Sequence, residues 1–384
     1  MATSHEITFN GTIASVLRKN AYFLRGQSER MWLTYKGRVL SLIQKAIDHQ
    51  PPDHDPMLII AIAMLVTFDI GDRDFAAAKA HLAGLKRMIC MDRLTEEQWL
   101  YVTFTDFRFS LLLNAMPTLP YYIPPYYRAS HPVLAQQSQK SRKLALYDSE
   151  LSPRNASTCV GRTFDLFKRL HELSMASTAL NGSKRLPMGE VYALEYQLLY
   201  SRAGMSGHDP TKPEDRAVEL VLIAAHLQVL ILSRCWTPQR HQTPMLLLHR
   251  AARTMMPYHA LPTSWSQSAS SESLMWTLFM FVASMLDLDM DLQNPVPVLG
   301  LLRGVVDDLQ LRTSGAFTGE LRKWPWAEEW HLSRAEAIWY RMQDHDQDVD
   351  SEPSVSPSVP AALTRKLDRL YIGTYQFYTP ATNT

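Results

Sequence analysis

The stretch DPMLIIAIAMLVTFDIGDRDFAAAKAHLAGLKRMI, residues 55–89, decides the fold class of this chain. Its first half holds twelve uncharged residues in a row, from Met57 to Phe68. A helix that spans a bilayer needs about 20 apolar residues, whereas an apolar run of about 10 to 14 is typical of a buried core helix. We therefore interpret the first half as a core helix of a globular protein.

The residues around this core helix predict a helical hairpin. Asp55 is placed to cap the helix N-terminus, Pro56 suits its first turn, and Gly71 suits its C-terminus. After a short connection, apolar residues recur at steps of three and four, which is the spacing of one helix face: Phe75, Ala78, Leu82, Leu85 and Ile89. We expect a first helix that is buried nearly all round and a second that is amphipathic.

The rest of the chain also favours helices. Capping boxes, in which Ser or Thr and a Glu or Gln three residues later satisfy backbone donors, are predicted at Thr95 with Gln98, Thr211 with Glu214, and Ser333 with Glu336. Further helices are predicted near residues 28–49, 157–180, 188–203, 241–256, 272–290 and 297–312. The fold class is therefore predicted to be all-α, a multi-helix body built of packed helical hairpins.

Two stretches interrupt the helical pattern. The segment MPTLPYYIPPYY, residues 116–127, has four prolines and is predicted to be an extended loop lying across the body. Near the end, an acidic and then Ser/Pro-rich composition predicts a linker that cannot bury enough apolar surface to order itself. The predicted organisation is an N-terminal segment 1–27, a helical body 28–342, a linker 343–360 and a short C-terminal segment 361–384.

The composition excludes several classes of protein. The 39 Lys and Arg residues balance 38 Asp and Glu, so the chain lacks the basic excess of an autonomous nucleic-acid binder. Its first 25 residues lack the unbroken apolar run of a secretory signal, which predicts an intracellular protein with no membrane segment. Cys90, Cys159 and Cys235 are far apart, which favours reduced thiols over a disulfide framework.

The most enzyme-like feature is the acidic segment MLDLDMDLQN with Asp287, Asp289 and Asp291. Carboxylates four residues apart share a helix face and could hold Mg²⁺ with substrate phosphates, as a terpene-synthase-like enzyme requires. No second acidic cluster stands opposite, so a solvated helix end is the favoured interpretation. His226 lies in an apolar helix, where a hydrogen-bonded core histidine is favoured over a catalytic base. We predict no catalytic, cofactor-binding or metal-binding residue.

The Met- and aromatic-rich stretch SLMWTLFMFVASML, residues 273–286, has two interpretations. Such side chains most often fill a core, but Met-rich walls also line adaptable pockets between helices. The core is favoured, and a small-molecule effector site between helices stays open as the alternative.

The order of these motifs resembles the regulatory domain of fungal-specific transcription factors. The hairpin matches an apolar family pattern at the positions Phe68, Gly71, Asp72, Ala78, His81, Leu82, Gly84 and Leu85. Residues 99–113, 193–200 and 216–232 are similar to later family helices, and WPWAEEWHLSRAEAIWYRM is similar to the terminal part. The resemblance covers about residues 28–342 and implies a nuclear transcription regulator, with control of a metabolic or secondary-metabolite gene cluster as one role to expect.

One departure from the family is large. Its members carry an N-terminal binuclear zinc cluster with six cysteines that reads DNA, whereas this sequence has three cysteines, none near residue 1. The departure leaves three explanations: a truncated gene model, action through a DNA-binding partner, or reuse of the fold. We expect a regulator that acts through protein partners, such as a DNA-binding transcription factor or a second copy, without direct DNA binding by this chain. A helical Mg-dependent enzyme and a non-catalytic scaffold are the alternatives.

Overall fold

The computed structural model describes most of the chain, and every regular element in the described residues is a helix. The described residues are 6–7, 9–11, 13–14, 27–49, 56–125, 140–148, 160–180, 186, 188–204, 212–233, 242–256, 260–288, 290 and 297–344. The all-α prediction is therefore confirmed. The helices are α1 (Gln27–His49), α2 (Pro56–Asp72), α3 (Phe75–Met88), α4 (Glu96–Leu113), α5 (140–148), α6 (Val160–Ala179), α7 (Met188–Gly204), α8 (Pro213–Leu232), α9 (Gln242–Thr254), α10 (Leu261–Ser266), α11 (Ser271–Asp287), α12 (Val298–Asp308), α13 (Ser314–Leu321) and α14 (Glu328–Asp344).

The predicted hairpin is present as α2 and α3, which pack against each other along their length. α2 is buried nearly all round, and α3 buries Ala78, Leu82 and Leu85 while its opposite side faces solvent, as expected. The prediction that Gly71 ends α2 is wrong. The helix continues through Asp72, and Arg73 takes the left-handed conformation with φ of 63°. The predicted cap Asp55 lies outside the described residues.

The tight turn of the hairpin is closed by backbone and side-chain bonds rather than by a glycine. The amide of Asp74 donates to the Asp69 carbonyl at 2.9 Å, and the Asp74 carboxylate caps α3 by accepting from the Ala77 amide at 3.0 Å. A carboxylate that satisfies an orphan amide at a helix start stabilises that helix by about 1 kcal/mol. These bonds hold Arg73 in the left-handed backbone conformation that a residue other than glycine rarely adopts.

Of the three predicted capping boxes, one is confirmed. Thr95 and Gln98 satisfy each other's backbone amides at the start of α4. The box at Thr211 is wrong because α8 begins at Pro213, with Lys212 as a cap that makes no side-chain bond. The box at Ser333 is wrong because α14 begins earlier, at Glu328, where the Glu328 amide donates to Thr178 of α6.

The centre of the molecule is α8, which contacts α6, α7, α9, α10 and α11. Its residues 217–218 and 220–232 are all buried, so it is surrounded on every side. α11 is the second core helix: residues 273–285 are buried throughout, which confirms the core interpretation of the Met- and aromatic-rich stretch. The Trp-rich segment before α14 packs inward, and Trp324 stacks on Trp276 of α11 at 5.5 Å between ring centroids.

The proline-rich loop after α4 is extended over residues 115–124 and lies on the body, as predicted. The buried carboxylate of Asp106 accepts from the backbone amides of Thr118 at 3.0 Å and Leu119 at 2.9 Å. The indole of Trp99 donates to the Tyr122 carbonyl at 3.1 Å. Two side chains of α4 therefore satisfy the backbone of a loop that has no partner strand.

Three short helices, α5, α10 and α13, were not predicted because each is too short to show a clear period. The predicted linker 343–360 begins inside α14, whose last residue is Asp344; the remainder of the linker and the segment 361–384 lie outside the described residues. Among the described helices, none is long and apolar enough to cross a membrane.

Candidate functional site

Asp287, interpreted above as a solvated residue at a helix end with a magnesium site as the alternative, is 17% exposed and bonded to two side chains of α14, so the solvated interpretation is wrong for this residue. Asp287 ends α11, and its carboxylate accepts from the guanidinium of Arg334 at 2.9 Å and from the indole of Trp330 at 2.8 Å. Both oxygens of this carboxylate are thereby used to fasten α14 to α11. Asp289 and Asp291 lie outside the described residues. Across the part of the chain that the structure describes, no group of three or more His, Cys, Asp or Glu side chains is arranged to hold a metal ion.

The buried histidines also serve packing. His226 is fully buried in α8, and its Nε2 lies 3.3 Å from Glu195 of α7, which confirms the core interpretation. Burial lowers its pKa although the neighbouring Glu195 opposes that effect. His171 of α6 lies 2.5 Å from Asp148 of α5, and burial raises the pKa of Asp148 to about 6. Each pair joins two helices at a place closed to solvent.

A polar centre at the hairpin joins three helices. The carboxylate of Asp69 in α2, which is 1% exposed, contacts Lys36 of α1 at 2.8 Å and His81 of α3 at 2.6 Å. Asp72, one turn further along α2, contacts the same ammonium group at 2.9 Å. We call Lys36, Asp69, Asp72 and His81 the hairpin centre.

The protonation of the hairpin centre follows from its geometry. Burial by itself raises the pKa of Asp69, but the bonds from His81 and Lys36 outweigh burial and hold that pKa below its usual value. Burial likewise lowers the pKa of Lys36, but its two carboxylate partners outweigh it and leave the pKa above its usual value. Both groups are therefore charged at neutral pH, and the pair is an ionic clamp between α1 and α2.

Aromatic packing fixes α1 beside this clamp. Trp32 is buried and meets Phe68 of α2 edge to face, with ring centroids 4.7 Å apart. The Lys36 ammonium lies 5.6 Å from the centre of the Trp32 ring. Phe68, Asp72 and His81 are among the positions that carry the resemblance described above, and all three touch this arrangement.

With one face of α1 held in this way, an adjacent face is exposed. Leu33, Leu40 and Ile47 recur at intervals of seven residues and are 56%, 38% and 36% exposed. Gly37 and Gln44 lie between them, so the exposed residues follow the alternating steps of four and three that mark a coiled-coil seam. We call these five residues the α1 seam.

The centre of the α1 seam is open. A Cβ atom placed on Gly37 would meet no heavy atom within 4 Å in the part of the chain that the structure describes, so none of the described helices covers this position. Sequence analysis did not identify the seam, because a second apolar stripe on an amphipathic helix looks like an extension of the buried face. The seven-residue interval was nonetheless visible in the sequence.

A second buried network went unpredicted because its members are far apart in sequence. The Nε2 of His331 in α14 lies 2.8 Å from the Gln228 side-chain oxygen, and the Gln228 nitrogen donates to Ser174 of α6 at 3.0 Å. The Nδ1 of His331 accepts from the Ala327 amide at 2.9 Å. Burial lowers the pKa of His331 to about 4, so the ring is neutral and orders α6, α8 and α14 rather than titrating near neutrality.

Comparisons of this chain with protein-family models, with curated proteins and with solved structures give no significant match.

Proposed function

We propose that this chain is a transcription regulator of the fungal-specific transcription factor type that acts through protein association. The proposal comes from the motif resemblance over residues 28–342, whose most specific part is the hairpin. The observation that supports it best is that hairpin residues matching the family pattern hold α1 so that the α1 seam faces solvent. A helix presented in this way is suited to pairing with another helix.

The occupant we propose for the α1 seam is α1 of a second copy, running antiparallel. A two-fold axis passes between residues 38 and 39 of the paired helices. Leu40 and Gly37 are equally far from this axis on its two sides, so Leu40 of each copy lies over Gly37 of the other. Leucine over glycine permits close approach of the two helices. The same axis brings Arg30 of one copy beside Ile47 and Asp48 of the other, which pairs opposite charges at both ends.

The association model is tested by two glycine substitutions that differ only in place. Gly37→Leu removes the space that Leu40 needs, while a Cβ atom at this position meets no heavy atom within 4 Å in the other described parts of the chain and leucine raises helix propensity. Gly84→Leu in α3 is the matched control, since a Cβ there also meets nothing within 4 Å. We expect a dimeric mass by light scattering for the wild type and the Gly84 variant, and a monomeric mass for the Gly37 variant.

The regulatory function itself needs a separate test in the native host. We expect depletion of the protein to change a limited set of transcripts, and the tagged full-length chain to occupy chromatin near those genes. Gly37→Leu should reduce that occupancy and Gly84→Leu should not. Unchanged transcripts after depletion would refute the regulator and favour the scaffold. If the wild-type protein is monomeric by light scattering, a second copy does not bind the α1 seam. If the Gly37 variant nevertheless loses its chromatin occupancy, a different protein binds the seam.

A further inference from the structure

A groove lies between α6, α7 and the loop that follows α4, with a volume of about 630 Å³. α6 and α7 pack against each other, and the ion pair of Arg169 with Glu190, at 2.8 Å, joins the two helices. The described residues that line the groove come from α6, α7 and this loop and not from α1, so the groove is separate from the α1 seam. We call it the tyrosine groove, because its lining includes Tyr121, Tyr196 and Tyr200.

The three tyrosines form one aromatic wall. Tyr196 and Tyr200 are four residues apart in α7 and therefore lie on the same face of that helix. Tyr121 comes from the loop and packs on Tyr196, with ring centroids 4.9 Å apart and an angle of 53° between the rings. Tyr121 and Tyr200 are 52% and 44% exposed. A row of half-exposed rings suits an elongated ligand that lies along the surface better than a ligand that is enclosed in a cavity.

Hydrogen-bond donors accompany the aromatic wall. The hydroxyl groups of Tyr196 and Tyr200 and the side-chain amide of Gln197 make no hydrogen bond within the described residues. Hydroxyl groups and side-chain amides can both donate. The tyrosine groove therefore presents aromatic surface and available donors side by side, which suits an apolar ligand that carries acceptors.

A peptide in the polyproline II conformation has this combination. Its backbone makes no internal hydrogen bonds, so its carbonyl groups can accept, and proline itself has no backbone donor. Two residues of this conformation span about 6.2 Å, and four residues of an α-helix span about 6 Å, so prolines two apart match the spacing of Tyr196 and Tyr200. Aromatic-lined grooves recognise such segments because little further ordering is needed on binding.

The charges on α6 favour a basic flank on this peptide. The charged residues that line the groove are Asp165, Lys168, Arg169 and Glu172. Arg169 is paired with Glu190, and Lys168 lies 3.9 Å from Glu172. Asp165 is exposed and has no cationic partner in the described part of the chain. The charge left without a partner is therefore negative, which attracts arginine or lysine and repels an acidic segment.

From these observations we propose that the tyrosine groove binds a proline-rich segment of a partner protein that carries a basic flank. The prolines lie on Tyr196 and Tyr200, and the basic side chain pairs with Asp165. The chain's own segment EPSVSPSVP, residues 352–360, directly follows the acidic residues DHDQDVDS, so the same charge argument disfavours it as the occupant. The proposal is independent of the regulatory function, because it concerns another surface and another partner.

A fluorescently labelled peptide of the sequence RPLPPLP tests the proposal by anisotropy titration with the full chain. We expect saturable binding, and at least fivefold weaker binding when alanine replaces every proline, because the alanine peptide has to be ordered on binding. Tyr200→Ala should weaken binding about fivefold or more, as truncation of an interface anchor does. Tyr340→Ala is the matched control, because Tyr340 is 70% exposed on α14 and does not line the groove.

The charge is tested with one further variant. Asp165→Asn should weaken binding of this peptide and leave binding of a peptide with glutamine in place of arginine unchanged. Equal binding of the proline and alanine peptides, no binding of either, or equal effects of the Tyr200 and Tyr340 variants would overturn the proposal. A peptide of residues 352–360 that binds as tightly as the basic peptide would also overturn it, in favour of the chain's own segment as the occupant.

Discussion

Replacing Asp69 by Asn removes the central charge of the hairpin centre and almost nothing else. The side chain is 1% exposed and is shared by Lys36 and His81, so its neutralisation leaves the Lys36 ammonium with Asp72 alone. Removing one partner of a buried ion pair costs about 3 to 5 kcal/mol. Because Lys36 keeps one carboxylate, we expect the lower figure, a loss of about 3 kcal/mol in the free energy of unfolding.

The matched control is Asp307→Asn, which removes a carboxylate of the same kind from the surface. Asp307 is 56% exposed and lies 3.7 Å from Arg312 and 4.0 Å from Arg303. Exposed ion pairs of this kind contribute between zero and about 1 kcal/mol. Urea unfolding followed by circular dichroism, with Trp fluorescence as a second probe for two-state behaviour, should separate the two variants clearly.

The pH dependence provides a second readout with a definite sign. The folded pKa of Asp69 is held below the usual 3.8, so the carboxylate contributes stability that is present above 3.8 and is lost as pH falls through the folded value. The stability difference between the wild type and Asp69→Asn should therefore be constant near neutrality and shrink well below pH 3.8. Equal destabilisation by the Asp69 and Asp307 variants, or a difference that persists unchanged in acid, would refute the ionic clamp.

Three further predictions concern other buried groups. Asp106→Asn should expose the loop after α4, because the two backbone amides bond to different carboxylate oxygens and the amide nitrogen that replaces one of these oxygens cannot accept; faster hydrogen exchange at the Thr118 and Leu119 amides checks this, and unchanged exchange contradicts it. His331 contributes stability that is full above its ordinary pKa of 6.5 and is lost as pH falls through about 4, so His331→Phe should flatten the stability curve in that window. A slope that survives this substitution would assign it to another group. Asp287→Asn should cost about 1 kcal/mol through its bond with partly exposed Arg334, and Mg²⁺ should leave the wild-type melting temperature unchanged; stabilisation by Mg²⁺ that this variant abolishes would favour the enzyme.

The helical hairpin and the all-α class were predictable because they depend on local pattern. A run of apolar residues of core-helix length, followed by steps of three and four, defines two helices and their buried faces without reference to the rest of the chain. The capping box at Thr95 was predictable for the same reason. The end of α2 was not predictable, because bonds made by Asp69 and Asp74 across the turn determine that the helix continues past Gly71.

The partners of polar side chains depended on tertiary structure. His331 and Gln228 are 103 residues apart, and Asp287 and Arg334 are 47 apart, so neither pair leaves a local pattern. The acids at the end of α11 were interpreted as a solvated helix end, with a metal site as the alternative, whereas the fold brings an arginine to Asp287. The charge of a carboxylate in the sequence cannot distinguish one that binds a metal ion from one that is paired with an arginine side chain.

By itself, the sequence determined the longer helices, their apolar faces and the apolar character of α2 and α8, because hydrophobic period and length are properties of each segment. Only the tertiary structure decided which apolar face stays open and which charges converge. The seam of α1 is exposed because the hairpin covers the neighbouring face, and Lys36 and His81 meet at Asp69 because α1 and α3 both pack on α2. Burial of a face depends on its neighbour, and the neighbour is set by contacts that are distant in the chain.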